Sequence, residues 1–191
     1  MVYIHNKIII NARAGGGKDT FADYLVLKYG FTKIAFADPI YEIARKYFNM
    51  TYKNRDLLQK IGQKFREIKP SIWVDYAMNR TKEFDKVVIS DLRQKNEYSI
   101  AIQCGFLPIR INTELDLRID RLERRDGRYP DLSLLENNSE TGADDCKFLE
   151  INNNSIFEDL YKQIDWIVEQ NWDDYILNIQ KEIFFKQYAS Y

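Results

Sequence analysis

The sequence places three consecutive glycines and a lysine, GGGK at positions 15–18, between an apolar run and a helical segment. The apolar run, residues 7–11 (KIIIN), is typical of a strand buried on both faces of a parallel sheet. Glycines allow positive φ angles and let the backbone approach a bound group without an intervening Cβ atom. A strand, a glycine-rich turn and a lysine at the start of a helix form the context that a phosphate-binding loop requires.

Strand and helix patterns alternate along the rest of the chain, so we predict an α/β fold with a doubly wound parallel sheet and helices on both faces. Ser155 is expected to cap the helix after the last strand, with Glu158 completing a capping box. Further strands are predicted at 31–37, 86–90, 107–111 and 148–151. Helices are predicted at 19–29, 40–47, 55–67, 71–84, 96–104, 113–125, 156–170 and 173–187.

Length and composition restrict the class of protein. With 191 residues, 45% hydrophobic and 30% charged, the chain suits a single globular domain. It has no leader pattern and no run near the ~18 apolar residues of a membrane helix, so a cytoplasmic protein without membrane attachment is expected. A net charge of −1 argues against binding to a nucleic-acid polymer. Two distant cysteines and one histidine argue against a disulfide framework, a zinc site or a histidine-based catalytic pair.

The glycine-rich turn, residues 12–20 (ARAGGGKDT), contains groups suited to a nucleotide triphosphate. Its N–H groups would surround a phosphate at the helix N-terminus. Lys18 would reach the β- and γ-phosphates, and Thr20 could place a hydroxyl near Mg²⁺. Ala12 replaces the first glycine of the common pattern and Asp19 replaces its serine or threonine, which gives the GKDT layout close to the GKGT of nucleoside monophosphate kinases. The alternative is a glycine-rich turn with an incidental lysine.

Polar residues follow two other predicted strands. Asp91 and Arg93 come directly after 86–90, at the carboxyl edge where open α/β sheets bind ligands. Asp91 could hold Mg²⁺ or orient an acceptor, and Arg93 could bind a phosphate with its two-pronged guanidinium. An ion pair that caps the next helix is the alternative. Asp38, followed by a proline, has the same position after 31–37, and there a simple helix start is an equal interpretation.

Five arginines lie within eleven residues of one predicted helix and its end. A solvated basic face is the usual explanation of such a run, but a polar loop follows, as in a mobile lid that closes arginines over ATP. We favour the lid. The arginines are Arg118, Arg121, Arg124, Arg125 and Arg128, of which the first, second and fourth share a helix face.

The helices between the second and third predicted strands could bind the acceptor. Gln59, Gly62 and Arg66 are spaced to share one helix face, which would present an amide and a guanidinium beside a gap without a side chain. That surface suits a base and its phosphate. For Arg55 and Trp73, surface charge and core packing are equally good explanations.

Taken in order, these residues resemble those of bacteriophage-type deoxynucleoside monophosphate kinases. The resemblance spans about residues 7–167 and leaves out only the final helix. The matching segments are GKDTFAD at 17–23, ADPI at 37–40, LQKIG at 58–62, WV at 73–74, VISDLR at 88–93, Glu97, Gly105, IRI at 109–111, Ser139 with Glu140, INNNS at 151–155, and Leu160.

The resemblance implies a P-loop fold of the nucleoside-monophosphate-kinase type, ATP with Mg²⁺ as donor, and a deoxynucleoside monophosphate as acceptor. One domain over 1–191 would contain an acceptor-binding insertion at about 40–84, a lid at about 115–141 and an extra helix at about 173–187. The location would be the cytoplasm, that of the host for a phage-encoded chain, and a homodimer is compatible with the sequence. The alternatives are a P-loop kinase of another phosphorylated acceptor, such as dephospho-coenzyme A, and a non-catalytic nucleotide-binding regulator.

The expected roles fall into four groups. Catalytic roles are expected for Lys18, Asp91, Arg93, Arg121 and Arg125; ATP binding for Arg13, Ala14, Gly15, Gly16, Gly17, Lys18, Asp19, Thr20 and Arg118; acceptor binding for Asp38, Gln59, Arg66, Trp73 and Arg93; and Mg²⁺ binding for Thr20 and Asp91.

Overall fold

The computed structural model describes residues 4–131 and 142–188. The strands are β1 (Lys7–Ala12), β2 (Thr32–Ile34), β3 (Val87–Ile89), β4 (Leu107–Asn112) and β5 (Leu149–Asn152). The helices are α1 (Lys18–Tyr29), α2 (Asp38–Phe48), α3 (Arg55–Ile68), α4 (Ile72–Thr81), α5 (Lys95–Gln103), α6 (Leu115–Asp126), α7 (Phe157–Val168) and α8 (Asp173–Tyr188). Strands and helices alternate as predicted.

The five described strands form one parallel sheet in the order β2–β3–β1–β4–β5. Strand β1 lies in the centre, with Ile9 opposite Ile89 of β3 and opposite Pro108 of β4. The carboxyl ends of the three central strands therefore lie at one edge of the sheet.

Side-chain alternation along β1 separates two hydrophobic cores. Ile8 and Ile10 pack on one face with residues of α1 and α7, such as Phe21 and Leu160. Ile9 packs on the other face, against α4 and α5. Because successive side chains of a strand point to opposite faces, this arrangement confirms the predicted doubly wound sheet with helices on both sides.

A third cluster holds the helices between β2 and β3 together. Ile40, Ala44, Ile61 and Trp73 are buried against one another. The Trp73 indole N–H donates a hydrogen bond to the Gly62 carbonyl, 3.0 Å away. Helices α2, α3 and α4 thus have a small core of their own beside the sheet.

Two local predictions were wrong. Strand β2 covers only Thr32–Ile34 instead of 31–37, because the N–H groups of residues 35–37 donate to the carboxylates of Asp38 and Asp91 rather than to a neighbouring strand. The capping box at Ser155 is absent: α7 begins after Ile156 without a side-chain cap, and the Ser155 hydroxyl donates to Asp159 instead. A capping box does occur at the start of α5, formed by Gln94 and Glu97.

The predicted loop after α6 is described only in part. Helix α6 ends at Asp126, and Gly127 follows with a left-handed φ of 68°. Residues 132–141, including Ser139 and Glu140, lie outside the described residues. Both cysteines are free thiols, Cys104 exposed and Cys146 partly buried. Within 4–131 and 142–188, no helix has the length and apolarity needed to cross a membrane.

Helix α8 is an integral part of the domain. Ile176 is buried in the core on one face of the sheet and Ile179 in the core on the other face. The Gln180 side chain donates a hydrogen bond to the Ile102 carbonyl of α5, 2.7 Å away. The helix therefore closes one end of both cores.

We expect Ile179→Ala to lower the free energy of unfolding by about 2–4 kcal/mol, because removal of a buried isoleucine loses transfer free energy and leaves a cavity. Leu177→Ala is the matched control on the same helix. Its side chain is 45% exposed, and the expected loss is below about 1 kcal/mol. Urea unfolding of both variants measures the difference. Equal losses would contradict the assignment of α8 to the core.

Candidate phosphate-binding site

The turn between β1 and α1 has the conformation that its glycines allow. The Gly16 N–H donates to the Arg13 carbonyl at 2.9 Å, which closes the turn. Gly15 and Gly17 have φ angles of 77° and 94°, which residues with a side chain seldom adopt. Gly17 is the N-cap of α1, and no side chain caps the helix there. The N–H groups at this helix end are thus suited to bind an anion.

Helix α6 packs directly against this turn. The Arg118 Nε donates to the Ala14 carbonyl at 2.8 Å, and the side chain is buried. A Cβ on Gly15 would lie 2.6 Å from the Arg118 carbonyl oxygen, so a side chain at position 15 would push α6 away. The close approach explains the need for glycine here.

The segment before β5 contacts the other side of the turn. Arg13 forms an ion pair with Asp144, with Nη2 and Oδ2 2.5 Å apart. Arg110 of β4 holds that segment, donating to the carbonyls of Ala143 at 2.8 Å and Asp144 at 3.2 Å. The guanidinium of Arg13 thus has a carboxylate partner in this structure.

Lys18 and Asp19 begin α1. Lys18 Nζ lies 3.9 Å from Asp19 Oδ2, and the Lys18 side chain is 24% exposed. Asp19 pairs with Lys33 at 3.0 Å. Partial burial acts to raise the pKa of Asp19, but the Lys33 hydrogen bond and the Lys18 charge hold it below its ordinary value. Lys18 therefore remains next to the turn while Asp19 is neutralised mainly by Lys33.

Asp91 and Asp38 hold the loop that follows β2. The two carboxylate oxygens of Asp91 accept the N–H groups of Phe36 at 2.8 Å and Ala37 at 3.0 Å. Asp38 accepts the N–H group of Ala35 at 2.9 Å. Burial raises the pKa of Asp91 above its ordinary value, although these N–H bonds act to lower it. Both carboxylates thus lie together at the carboxyl edge of the sheet.

Glu97 fixes the backbone next to Arg93. Its Oε2 accepts the N–H groups of Arg93 at 2.8 Å and Gln94 at 2.9 Å, and the residue is only 4% exposed. Burial raises the pKa of Glu97 to about 7, with a further raising effect from the Asp91 charge. Arg66 of α3 is close enough to act in the opposite direction. Arg66 and Arg93 are therefore both near Glu97.

The arginines of α6 face different surroundings. Arg121 donates from Nη2 to the Asn153 carbonyl at 3.0 Å, and its Nη1 is buried with no acceptor among residues 4–131 and 142–188. Arg125 pairs with Asp126 through two bonds of 2.7 and 2.8 Å. Arg124 pairs with Asp120 along the helix. Arg118 and Arg121 thus face the phosphate loop and its neighbours, and the other two have partners within α6.

The remaining acceptor candidates differ in position. Trp73 is buried, with its N–H engaged by Gly62. Arg66 lies over that glycine: a Cβ there would be 3.3 Å from Arg66 Nη1. Gln59 lies two helical turns before Arg66 in α3, and its side chain is exposed. The structure therefore brings Arg66 towards the carboxyl edge of the sheet and leaves Gln59 at the surface.

Thr20 and Asp91 fit a partial set of Mg²⁺ ligands. Thr20 is in the first turn of α1, and each Asp91 oxygen retains acceptor capacity beyond its single N–H bond. Within the described part of the chain, no three His, Cys, Asp or Glu side chains form a metal cluster. Mg²⁺ at nucleotide sites usually takes one or two protein ligands together with phosphates and waters, so the number and type of these two groups match what such a site uses.

Sequence reasoning gave no site role to Thr113, Asn153 or Glu97, although Glu97 and Asn153 fall within the segments that carry the resemblance. Thr113 and Asn153 both donate hydrogen bonds to the Gly16 carbonyl at 3.0 Å. Each directly follows a strand of the sheet, β4 or β5. A polar residue directly after a parallel strand could have indicated a site role, because the carboxyl ends of parallel strands meet at one edge of the sheet.

Replacing Glu97 tests the electrostatics of this edge. Glu97→Gln keeps an oxygen that accepts the two N–H groups but has no charge. Because the folded-state pKa is raised, the unfolded state loses its proton first as pH rises. The stability of the wild type therefore falls between about pH 4.5 and 7, and the loss persists at higher pH. Relative to the wild type, the variant should gain about 2–3 kcal/mol of unfolding free energy from pH 4.5 to 8, at ~1.4 kcal/mol per pKa unit.

Urea unfolding at both pH values measures this gain. Glu83→Gln, at an exposed glutamate after α4, is the matched control for the loss of one carboxylate. A Glu97→Gln offset that does not change with pH would contradict a buried, proton-binding carboxyl.

No protein-family model and no curated protein matches the sequence. Solved structures do resemble the fold. A gluconokinase from Sinorhizobium meliloti 1021 has a TM-score of 0.57 at 13% identity, over 96% of this chain and 98% of that chain. A shikimate kinase from Acinetobacter baumannii, solved with shikimate, has a TM-score of 0.53 at 18% identity, over 85% and 92%.

A sugar kinase from Janibacter sp. HTCC2649 is similar as well, with a TM-score of 0.51 at 14% identity over 86% of this chain and 95% of that chain. Identities of this size establish a shared fold. The chain shares the α/β fold of these three solved structures, with its glycine-rich turn after the central strand.

Proposed function

We propose that this protein transfers the γ-phosphoryl group of ATP to a small acceptor, and that the acceptor is a deoxynucleoside monophosphate. The observation that carries the proposal is the turn from Gly15 to Lys18. It lies at the carboxyl end of the central strand, has two glycines with positive φ, and begins a helix without a side-chain cap. This geometry supports the binding of a phosphate chain.

The donor side consists of the turn and the helix that packs on it. N–H groups of the turn would bind the β-phosphate, and Lys18 would neutralise charge on the β- and γ-phosphates. Arg121, whose Nη1 is buried with no acceptor among the described residues, could donate to an ATP oxygen. Arg118, bonded to the Ala14 carbonyl, would keep α6 against the turn. The charge of Arg125 interacts with that of Asp19, but its guanidinium is paired with Asp126. Arg125 would approach the transferred group only after this pair is broken.

The acceptor side would be formed by the loops after β2 and β3 and by helix α3. Arg93 and Arg66, both near Glu97, would bind the acceptor phosphate. Asp38 and Asp91 hold the β2–α2 loop in place, which would position the acceptor beside the donor. The helices with the third hydrophobic cluster would contact the base. Gln59, expected from its spacing on α3, is exposed and could reach the base, whereas buried Trp73 would support that surface from within the cluster.

The proposed reaction needs no general base from the protein. The second pKa of a phosphate monoester is about 6, so the acceptor is largely a dianion at neutral pH. The protein would hold the two phosphates in line and neutralise charge that develops during transfer. Mg²⁺ bound with ATP would neutralise further phosphate charge, and Thr20 and Asp91 are the residues that would hold it.

A second candidate is a kinase that phosphorylates a hydroxyl group of a small organic acid or sugar. Two solved structures with this fold are named gluconokinase and shikimate kinase. A hydroxyl acceptor needs a base, and Asp91, with its raised pKa at the sheet edge, has the chemistry to accept a proton.

An acceptor panel separates the candidates. We would measure ADP release from Mg-ATP with dTMP, dGMP, dCMP and dAMP, their ribose counterparts, dephospho-coenzyme A, gluconate and shikimate. Turnover with one or two deoxynucleotides supports the proposal, and turnover only with gluconate or shikimate supports the second candidate. ATP binding without turnover across the panel would contradict both and favour a nucleotide-binding regulator.

With the best acceptor, Lys18→Ala should lower kcat by about 10²–10³-fold, the usual effect of removing one group that stabilises transition-state charge. Lys162→Ala is the matched control, because Lys162 is exposed on α7 and pairs with Asp159 of the same helix. Its kcat should equal that of the wild type. Full activity of Lys18→Ala, with an unchanged melting temperature, would contradict the role of Lys18.

A further inference from the structure

The Gly16 carbonyl accepts hydrogen bonds from two side chains on different loops. The Thr113 hydroxyl donates from the β4–α6 connection at 3.0 Å. The Asn153 amide nitrogen donates from the β5–α7 connection, also at 3.0 Å. A carbonyl oxygen has two lone pairs, so these two donors use its full acceptor capacity.

These bonds determine how the Gly16–Gly17 peptide is oriented. A trans peptide is planar, and its C=O and N–H groups point in opposite directions. Because the Gly16 carbonyl points towards Thr113 and Asn153, the Gly17 N–H points away from them. No acceptor for that N–H occurs in residues 4–131 or 142–188. The group is therefore presented as a donor at the start of α1.

Asn153 is itself held in place from several directions. It is 4% exposed, its N–H donates to the Asn112 carbonyl at 2.8 Å, and its carbonyl accepts from Arg121. A Cβ on Gly17 would collide with the Asn153 amide nitrogen. This close contact and the φ of 94° both favour glycine at position 17, and the bond from the buried Asn153 side chain restrains the Gly16–Gly17 peptide.

We propose that Thr113 and Asn153 are positioning residues, which hold the Gly16–Gly17 peptide so that the Gly17 N–H faces the phosphate chain of ATP. The inference rests on the proposed function, since it assigns a role within the same ATP site. Neither residue touches ATP directly in this proposal. Each acts through the Gly16 carbonyl, so its loss should affect phosphate affinity more than the fold.

Thr113 offers the sharper test, because two substitutions separate its hydroxyl from its shape. Thr113→Val keeps the size and branching but removes the donor, whereas Thr113→Ser keeps the donor. One hydrogen bond contributes about 0.5–1.5 kcal/mol, which corresponds to ~2–10-fold in affinity. By calorimetry without acceptor, Thr113→Val should bind Mg-ATP about fivefold more weakly, and Thr113→Ser should bind as the wild type does.

Asn153→Ala should weaken Mg-ATP binding by about tenfold, because it removes a donor and also the packing that restrains Gly17. Asn154→Ala is the matched control. Its side chain bonds the N–H and carboxylate of Glu114 rather than the phosphate loop, so its ATP affinity should match the wild type. Affinity for AMP, which lacks the β- and γ-phosphates, should change less than twofold in every variant.

The outcomes are distinguishable from those of the proposed function. A wild type that binds no ATP would overturn the proposed function and this inference with it. A wild type that binds ATP and transfers phosphate, with Thr113→Val and Asn153→Ala binding ATP equally well, would overturn this inference alone. Melting temperatures check folding; if Asn153→Ala unfolds, the Thr113→Val and Thr113→Ser pair decides. Equal losses of AMP and ATP affinity would indicate general damage and contradict the positioning role.

Discussion

Burial of β1 on both faces is the constraint on which the rest of the structure depends. Ile8, Ile9 and Ile10 are fully buried, which requires helices on both sides of the sheet and parallel neighbours on both edges of the strand. The turn after β1, the segment after β3 and the loop after β4 therefore meet at one edge. The candidate site follows from this meeting of strand ends rather than from any one motif.

The acidic side chains at this edge accept hydrogen bonds from the backbone and do not form an open anionic surface. Asp38, Asp91 and Glu97 together accept five N–H groups from two loops. Their hydrogen bonds fix the β2–α2 loop and the start of α5. Burial raises the pKa values of Asp91 and Glu97 above their ordinary values, although their N–H bonds act to lower them. The acidic side chains of this edge are therefore bound to backbone N–H groups.

The sequence predicted the order of elements and the position of the glycine-rich turn because both depend on local signals. Apolar runs identified β1 and β3, and glycines between strand and helix identified the turn. The contacts that orient the turn could not be predicted this way. Thr113 and Asn153 reach Gly16 across 97 and 137 residues of chain, and short β2 results from N–H bonds to Asp91, 55 and 54 residues away. These contacts form only when the sheet assembles, so local sequence patterns do not predict them.

The contact between α6 and the glycine turn has a mechanical consequence. Arg118 is joined to the Ala14 carbonyl, and its own carbonyl lies where a side chain of Gly15 would be. The first half of α6 is therefore fixed against the turn, and Arg124 and Arg125 lie in its second half, beyond this contact. The turn and the start of α6 therefore cannot shift independently of each other, because a side-chain hydrogen bond and a close backbone contact join them.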